Sequence, residues 1–332
     1  MDLWIADASK EVVTTASGLI AGASDLAVDA EGQVYILDYR ARAIHVVDST
    51  GHLIRTMGRP GRGPGELERP ASFRVYPDSV VVVDQGNQRF QSFTDAGEPL
   101  GSQPIPECAQ GAAAPTLGPG GLLVRPTIGM DSGLAVLCSR QGEEQATIGE
   151  PLAPVSSVID MVEVRAEILE GGVPGFLLNL VSPVVGQDGS VWLVLPAAHR
   201  ADRHEGGERV TTVTLHEPEF EAVRADWMTE VEEREQPGVP GLRYLLRARE
   251  AGGMLWILTH TGDEPFAKVV VVSRAGEVVA RLHFADVAGA GDFAVDLEGG
   301  WIYFYIPERA ELVRVVLDAE VPPGMGVASQ GR

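Results

Sequence analysis

Three stretches of the chain run apolar through successive positions rather than at every second one: "VVVVD" at 80–84, up to its closing Asp84, "VWLVL" at 191–195 and "VVVV" at 269–272. Continuous β-branched runs of this length mark strands buried on both faces. A parallel α/β sheet also buries both faces, but it needs a helical crossover between successive strands. Here successive strand-like segments are joined by turns of two to six residues, which leave no room for helices, so the pattern predicts antiparallel meanders stacked face to face.

The meander repeats. Residues 25–32 read "DLAVDAEG" and residues 292–299 read "DFAVDLEG", each followed by an apolar strand, "VYILD" or "WIYFYI". From Asp25 the unit continues through a turn at Glu31-Gly32, a strand ending at Asp38, the strand "AIHVVD", the turn "STG" and a fourth strand "HLIRTMG". Turns between third and fourth strands recur at "DSTG" (Gly51), "TDAG" (Gly97), "SRQG" (Gly142) and "SRAG" (Gly276), with weaker equivalents at "HEPE" near Glu217 and "LDAE" near Ala319. The well-spaced ones lie roughly 45 residues apart, the period of a propeller blade. This predicts an all-β chain, residues 1–332 forming one six-bladed β-propeller domain of four-stranded antiparallel blades, with insertions at about 150–181 and 225–243. The last repeat supplies "DFAVD", "WIYFYI" and "ELVRVVL", after which "VPPGMGVASQGR" is too rich in proline and glycine for a central strand. The N-terminal "LWIADASKEVVTT" is therefore expected to provide the missing strand and close the ring.

The most glycine-dense stretch, "GRPGRGPGELERP" at 58–70, has the look of a phosphate cradle. Gly58 and Gly63 have the Walker interval, but Pro64 and Gly65 stand where lysine and a hydroxyl are needed. A dinucleotide fingerprint would need glycine at Glu66, and Glu66 and Glu68 would repel phosphate. The stretch reads as a connector. Together with "VVVVDQGNQRFQSFTDAGEPL" and "VYILDYRARAIHVVDSTGHLI", it resembles NHL repeats and related bacterial six-bladed β-propeller proteins. The matching positions are Gly63, Pro64, Gly65, Glu66, Pro70, Asp84, Asn87 and Arg89 in blade 2, and Asp38 and Arg42 in blade 1; later blades have drifted and "WD" signatures are absent. The resemblance implies that 58–70 joins the outer strand of blade 1 to the inner strand of blade 2. It also implies structural roles for these residues, with Asp84 capping the turn that follows it and pairing with Arg89.

With 45% hydrophobic and 22% charged residues the chain is globular, and its formal charge of -21 disfavours nucleic acid and anionic membranes as partners. No apolar run is long enough for a membrane span, and "MDLWIADASKEVV" lacks the pattern of an export signal. The chain as given reads as soluble and monomeric; the resemblance favours a periplasmic or extracellular setting and leaves the compartment open. Cys108 and Cys138 admit either a single disulfide or two reduced buried thiols.

Propellers of this shape include enzymes. Those resembling gluconolactonases hold a metal with Glu, Asp and paired Asn side chains, but the asparagines here are Asn87, in the connector motif, and Asn179, in an insertion. Propellers resembling amidating lyases use histidines around zinc, and none of the 7 histidines falls in an expected inner strand. The densest polar cluster, "HRADRHEGGE" at 199–208, offers His199, Asp202, His204 and Glu205 as weak metal candidates. Its spacing fits no familiar metal motif, and it reads as a solvated loop between the second and third strands of blade 4. The acidic "ADWMTEVEEREQPGVPGL" reads as an amphipathic segment around Trp227 and Met228, broken by Pro237 and Pro240, either plugging the channel or docking a partner. Asp25 and Asp292 begin equivalent inner strands and, with Arg74 and Arg247, are the candidates for ligand contact at the channel mouth. The reading is a non-catalytic scaffold without a cofactor, binding a protein or small molecule at that mouth. The alternative is a propeller hydrolase or lyase with an atypical channel site.

Overall fold

The computed structural model describes residues 1–5, 10–15, 20, 22–127, 129, 133–156, 159–235, 238–285 and 287–317. Six sheets form a ring of blades, each a four-stranded antiparallel meander. Their inner strands are Ala23–Val28, Pro70–Tyr76, Thr116–Leu117, Ser182–Val185, Leu245–Ala251 and Asp292–Asp296 for blades 1 to 6. Each inner strand touches the next, and that of blade 6 touches that of blade 1.

The ring explains the continuous apolar runs. Side chains along a strand alternate between faces, and each face of a blade belongs to a different core. In Val34–Asp38, Val34 and Ile36 enter the core shared with blade 6, whereas Tyr35 and Leu37 enter the core shared with blade 2. In Ser79–Asp84, Val80 and Val82 face blade 1 while Val81 and Val83 face blade 3. Six such cores lie between successive blades. A residue polar on either face would be buried without water.

The N-terminus closes the ring, but in two steps rather than one. Lys10–Thr15 pairs antiparallel with Glu311–Val316 and completes blade 6. Asp2–Ile5 instead lies parallel to Val278–Ala285 as a fifth strand on the outer edge of blade 5. Trp4 stacks on His283 there, ring centroids 4.5 Å apart, and covers an edge that would otherwise be open.

Two turns differ from the expectation. The third-to-fourth strand turn of blade 4 is Gly206-Gly207, whose φ angles of 56° and 93° suit a tight hairpin. "HEPE" follows that hairpin and leads into helix α3 (Phe220–Glu233), with Glu217 and Glu219 paired to the buried Lys268 of blade 5. A buried ammonium requires such counter-charge. "LDAE" begins at Leu317, and its remaining residues lie outside those described.

The insertions are helical. The first holds α1 (Met161–Leu169), capped by Asp160 accepting from the Val162 amide at 2.8 Å, and α2 (Gly175–Leu178). The second is α3, whose Phe220, Val223, Trp227 and Val231 pack into the core between blades 4 and 5 beside Val164 and Ile168 of α1. The amphipathic reading holds, with Trp227 donating its indole N–H to the Pro240 carbonyl at 2.9 Å; Pro237 lies outside the described residues. Among the described residues, no helix is long and apolar enough to cross a membrane.

Candidate channel site

Both helical insertions, residues 58–69 and the turns after each second strand lie at one end of the ring, where the inner strands begin. That end is the channel mouth. The inner strands of blades 1, 2 and 5 each carry a register shift near their start, between Ala23 and Asp25, Pro70 and Ser72, and Leu245 and Arg247. Such bulges re-aim side chains locally. Strand pairing then defines levels. Asp25, Ser72, Ser182, Arg247 and Asp292 lie opposite Leu37, Val83, Val194, Leu258 and Tyr305, the penultimate residue of the second strand in each blade. Two residues deeper, Arg74 and Arg249 lie opposite Val81 and Trp256. Blades 2 and 5 are three apart in a ring of six, so these two arginines approach the channel from opposite sides.

Asp25 and Asp292 meet, as their equivalent positions suggested, and the group that joins them is Arg249. Its guanidinium donates to Asp25 at 2.6 Å and to both oxygens of Asp292 at 2.8 and 3.0 Å, and through Nε to the Phe293 carbonyl at 3.2 Å. Arg247 donates to the Ser24 carbonyl at 2.9 Å and stands 3.8 Å from Asp292. One strand of blade 5 thus ties blade 6 to blade 1 across the seam where the ring closes. Burial raises the Asp292 carboxyl above the usual range, opposed by Arg249 and Arg247 and reinforced by Asp25. Burial alone would lower Arg249, but Asp292 and Asp25 outweigh it and hold the guanidinium firmly charged. Arg249 was legible in principle, because period-two alternation puts it beside Arg247.

Arg74 is set apart from this cluster. It donates to the Leu117 carbonyl of blade 3 at 3.0 Å, lies 5.9 Å from the Tyr76 ring centre, and pairs with no carboxylate among the described residues. Burial lowers its pKa, partly offset by Tyr76 and by Glu250 of the opposite blade.

The weak metal candidates do not converge. "HRADRHEGGE" is mostly strand, Arg200–Glu205 with its hairpin turn, rather than a solvated loop: Ala201 to His204 are buried between blades. His199 sits before the strand with φ 42°, its Nδ1 2.6 Å from the Leu215 carbonyl, while His204 and Glu205 occupy the far end. Five residues of strand separate the histidines by about 17 Å. Burial lowers the pKa of both. No three His, Cys, Asp or Glu side chains among the described residues are grouped to hold a metal.

The connector is a clasp. Arg89 donates to the carbonyls of Arg62, Gly63 and Glu66 at 3.1, 2.7 and 2.8 Å, and Asn87 donates to the Gly61 carbonyl at 3.0 Å and to Asp84 at 2.5 Å. The Glu66 carboxylate accepts from the Gly63 amide at 2.7 Å. Asp84 stands 3.5 Å from Arg89, but it accepts from the amides of Glu68 and Arg69 at 3.0 and 3.1 Å, thereby capping the preceding connector rather than the following turn. Asp38 caps its own turn, accepting from Arg40 and Ala41 at 2.9 Å each. Pro64 occupies a turn, and no helix follows Gly65. Cys108 and Cys138 stand with Cα atoms 6.2 Å apart and sulfurs in bonding contact, joining the connector before blade 3 to that blade's third strand.

No protein-family model matches the chain, and no curated protein matches it. Solved structures do. A Bacteroides fragilis protein predicted to be exported aligns with a TM-score of 0.57 at 12% identity, covering 95% of this chain and 98% of that one. A catalytically inactive virginiamycin B lyase of Staphylococcus aureus, solved with quinupristin, aligns at 0.53 and 13%, covering 93% and 99%. A luciferin-regenerating enzyme aligns at 0.51 and 12%, covering 96% and 98%. At these identities the likeness establishes the fold alone.

Proposed function

We propose that this chain is a ligand-binding β-propeller of the NHL-like kind, acting without catalysis, with its site at the channel mouth. The observation that carries the reading is the seam cluster. Arg249, Asp25, Asp292 and Arg247 hold three blades in fixed relation beside the mouth, and the long connectors and both helical insertions gather at the same end. A rigid ring with variable loops at one end is a scaffold suited to recognition. The hydrolase or lyase alternative draws on the names of two structural neighbours, the lyase and the luciferin-regenerating enzyme.

Melting temperature followed across a panel of small carboxylates, phosphates, sugars and amines tests the proposal, with mass spectrometry of each mixture afterwards. A saturable rise with the ligand recovered intact supports binding; a ligand at a hundredfold its Kd adds about 2.7 kcal/mol of stability. Multiple-turnover consumption would replace the reading with the enzymatic one. Failure of every class to raise the melting temperature would withdraw the channel-mouth site.

A further inference from the structure

Four of the charged groups on the inner strands of blades 1, 5 and 6 are spent on one another. Arg249 is held by two carboxylates, and Arg247 by a carbonyl with Asp292 close by. Two groups break the pattern. Arg74 uses one guanidinium donor on the Leu117 carbonyl and forms no ion pair among the described residues. Glu250, on the inner strand of the opposite blade and paired in register with Leu255, forms no hydrogen bond or ion pair with any described residue, and its charge favours the Arg74 cation against the lowering by burial. An arginine carries five donors in a planar fork matched to a carboxylate. A half-buried guanidinium with most donors unassigned is costly unless something meets it.

We infer that the channel binds a small zwitterion, its carboxylate forked onto Arg74 and its ammonium directed toward Glu250. This deepens the channel-mouth reading and rests on it. The chemistry follows from the two uncommitted groups being opposite in sign and on opposite walls. A ligand carrying both charges neutralises both groups at once, whereas a dianion would face the unpaired Glu250, and a simple amine would leave Arg74 bare. The Tyr76 ring centre lies 5.9 Å from the Arg74 guanidinium carbon, and the planar fork of that group suits a two-point contact with a carboxylate better than a point-charge one.

The test is a thermal-shift and calorimetric titration of the whole chain with glycine, β-alanine, 4-aminobutanoate and 5-aminopentanoate, set against butanoate and butylamine. One or more of the zwitterions should bind at least tenfold more tightly than either singly charged probe. Arg74→Gln should lose that binding by tenfold or more, and Arg74→Lys, keeping the charge without the fork, should recover only part of it. Glu250→Gln should bring butanoate level with the amino acid of the same length. Circular dichroism and melting of each unliganded variant establish that it is folded, and Arg209→Gln, on an outer strand, serves as the control expected to bind normally. Equal binding of butanoate and 4-aminobutanoate by the unaltered protein, no binding of any zwitterion, or binding indifferent to Arg74→Gln overturns the inference. A sugar or amine that binds saturably and survives Arg74→Gln would overturn it while leaving the channel-mouth reading in place.

Discussion

Removing Arg249 while keeping its volume, as Arg249→Leu, strands two carboxylates that now share one cation. The Asp292 side chain is 3% exposed and that of Asp25 14%, so neither recovers full hydration. Breaking a buried pair by deleting one member costs about 3–5 kcal/mol, because the survivor remains charged and dry. An unfolding entropy of about 2.1 cal/mol/K per residue gives about 0.7 kcal/mol/K for a chain of this length, so the melting temperature should fall by about 4–7 °C. The loss should depend on pH. Burial already raises Asp292, and without Arg249 it rises further. The native state then holds a proton that the unfolded carboxyl has released, so the variant loses stability as pH rises through the folded pKa. Its deficit should therefore be larger at pH 8 than at pH 5. Urea denaturation followed by tryptophan fluorescence at both pH values measures this, and adding Asp292→Asn should restore at least half of the loss. A deficit below about 1 kcal/mol at pH 8, or one equal at both pH values, would refute the assignment of the seam cluster as an electrostatic tie.

Deleting residues 1–15 should cost several kcal/mol and promote association, since it strips the ladder from Glu311–Val316 and removes the buried Val13 and Ile5, worth about 1.5–3 kcal/mol each. Deleting 1–5 alone should cost distinctly less, and equal stability of the full chain and the longer deletion in urea would contradict the closure. Gly65 has φ 71°, and a Cβ there would stand 2.5 Å from Pro99 Cγ; Gly65→Val should lose about 2 kcal/mol or more in urea denaturation, an unchanged midpoint being the contrary result. If Cys108 and Cys138 are bridged, closing a loop of about thirty residues is worth about 3.7 kcal/mol. Dithiothreitol should then lower the melting temperature of the parent and leave Cys108→Ala/Cys138→Ala unmoved, whereas no response in the parent would show free thiols.

The blade count and the closure were legible because they rest on features that repeat: Asp25 and Asp292 in equivalent octapeptides, glycine turns, and apolar runs that serve two cores at once. "HRADRHEGGE" misled because its charges suggest solvent. Arg203 is nevertheless buried with Asp188 and Glu205 as neighbours, and Asp202 is held by Arg200 and Thr212, so the strand carries paired charge where apolar residues are usual. "HEPE" reads as a turn because the glutamates' partner, Lys268, lies about fifty positions away and no local pattern announces it. The hub Arg249 was missed for a related reason. One strand supplied both Arg247 and Arg249, and only the register of three blades shows which of them reaches both aspartates.

The most direct measurement follows the arginine Nε–Hε resonances of the protein by 15N NMR while a zwitterion that raises the melting temperature is titrated. The account predicts that the Arg74 signal, assigned through Arg74→Lys, shifts saturably with the same Kd found by calorimetry, while Arg249, locked between Asp25 and Asp292, stays in place. A ligand that saturates the protein without moving Arg74, or that moves only arginines on the outer strands, would contradict the claim that the channel is the binding site.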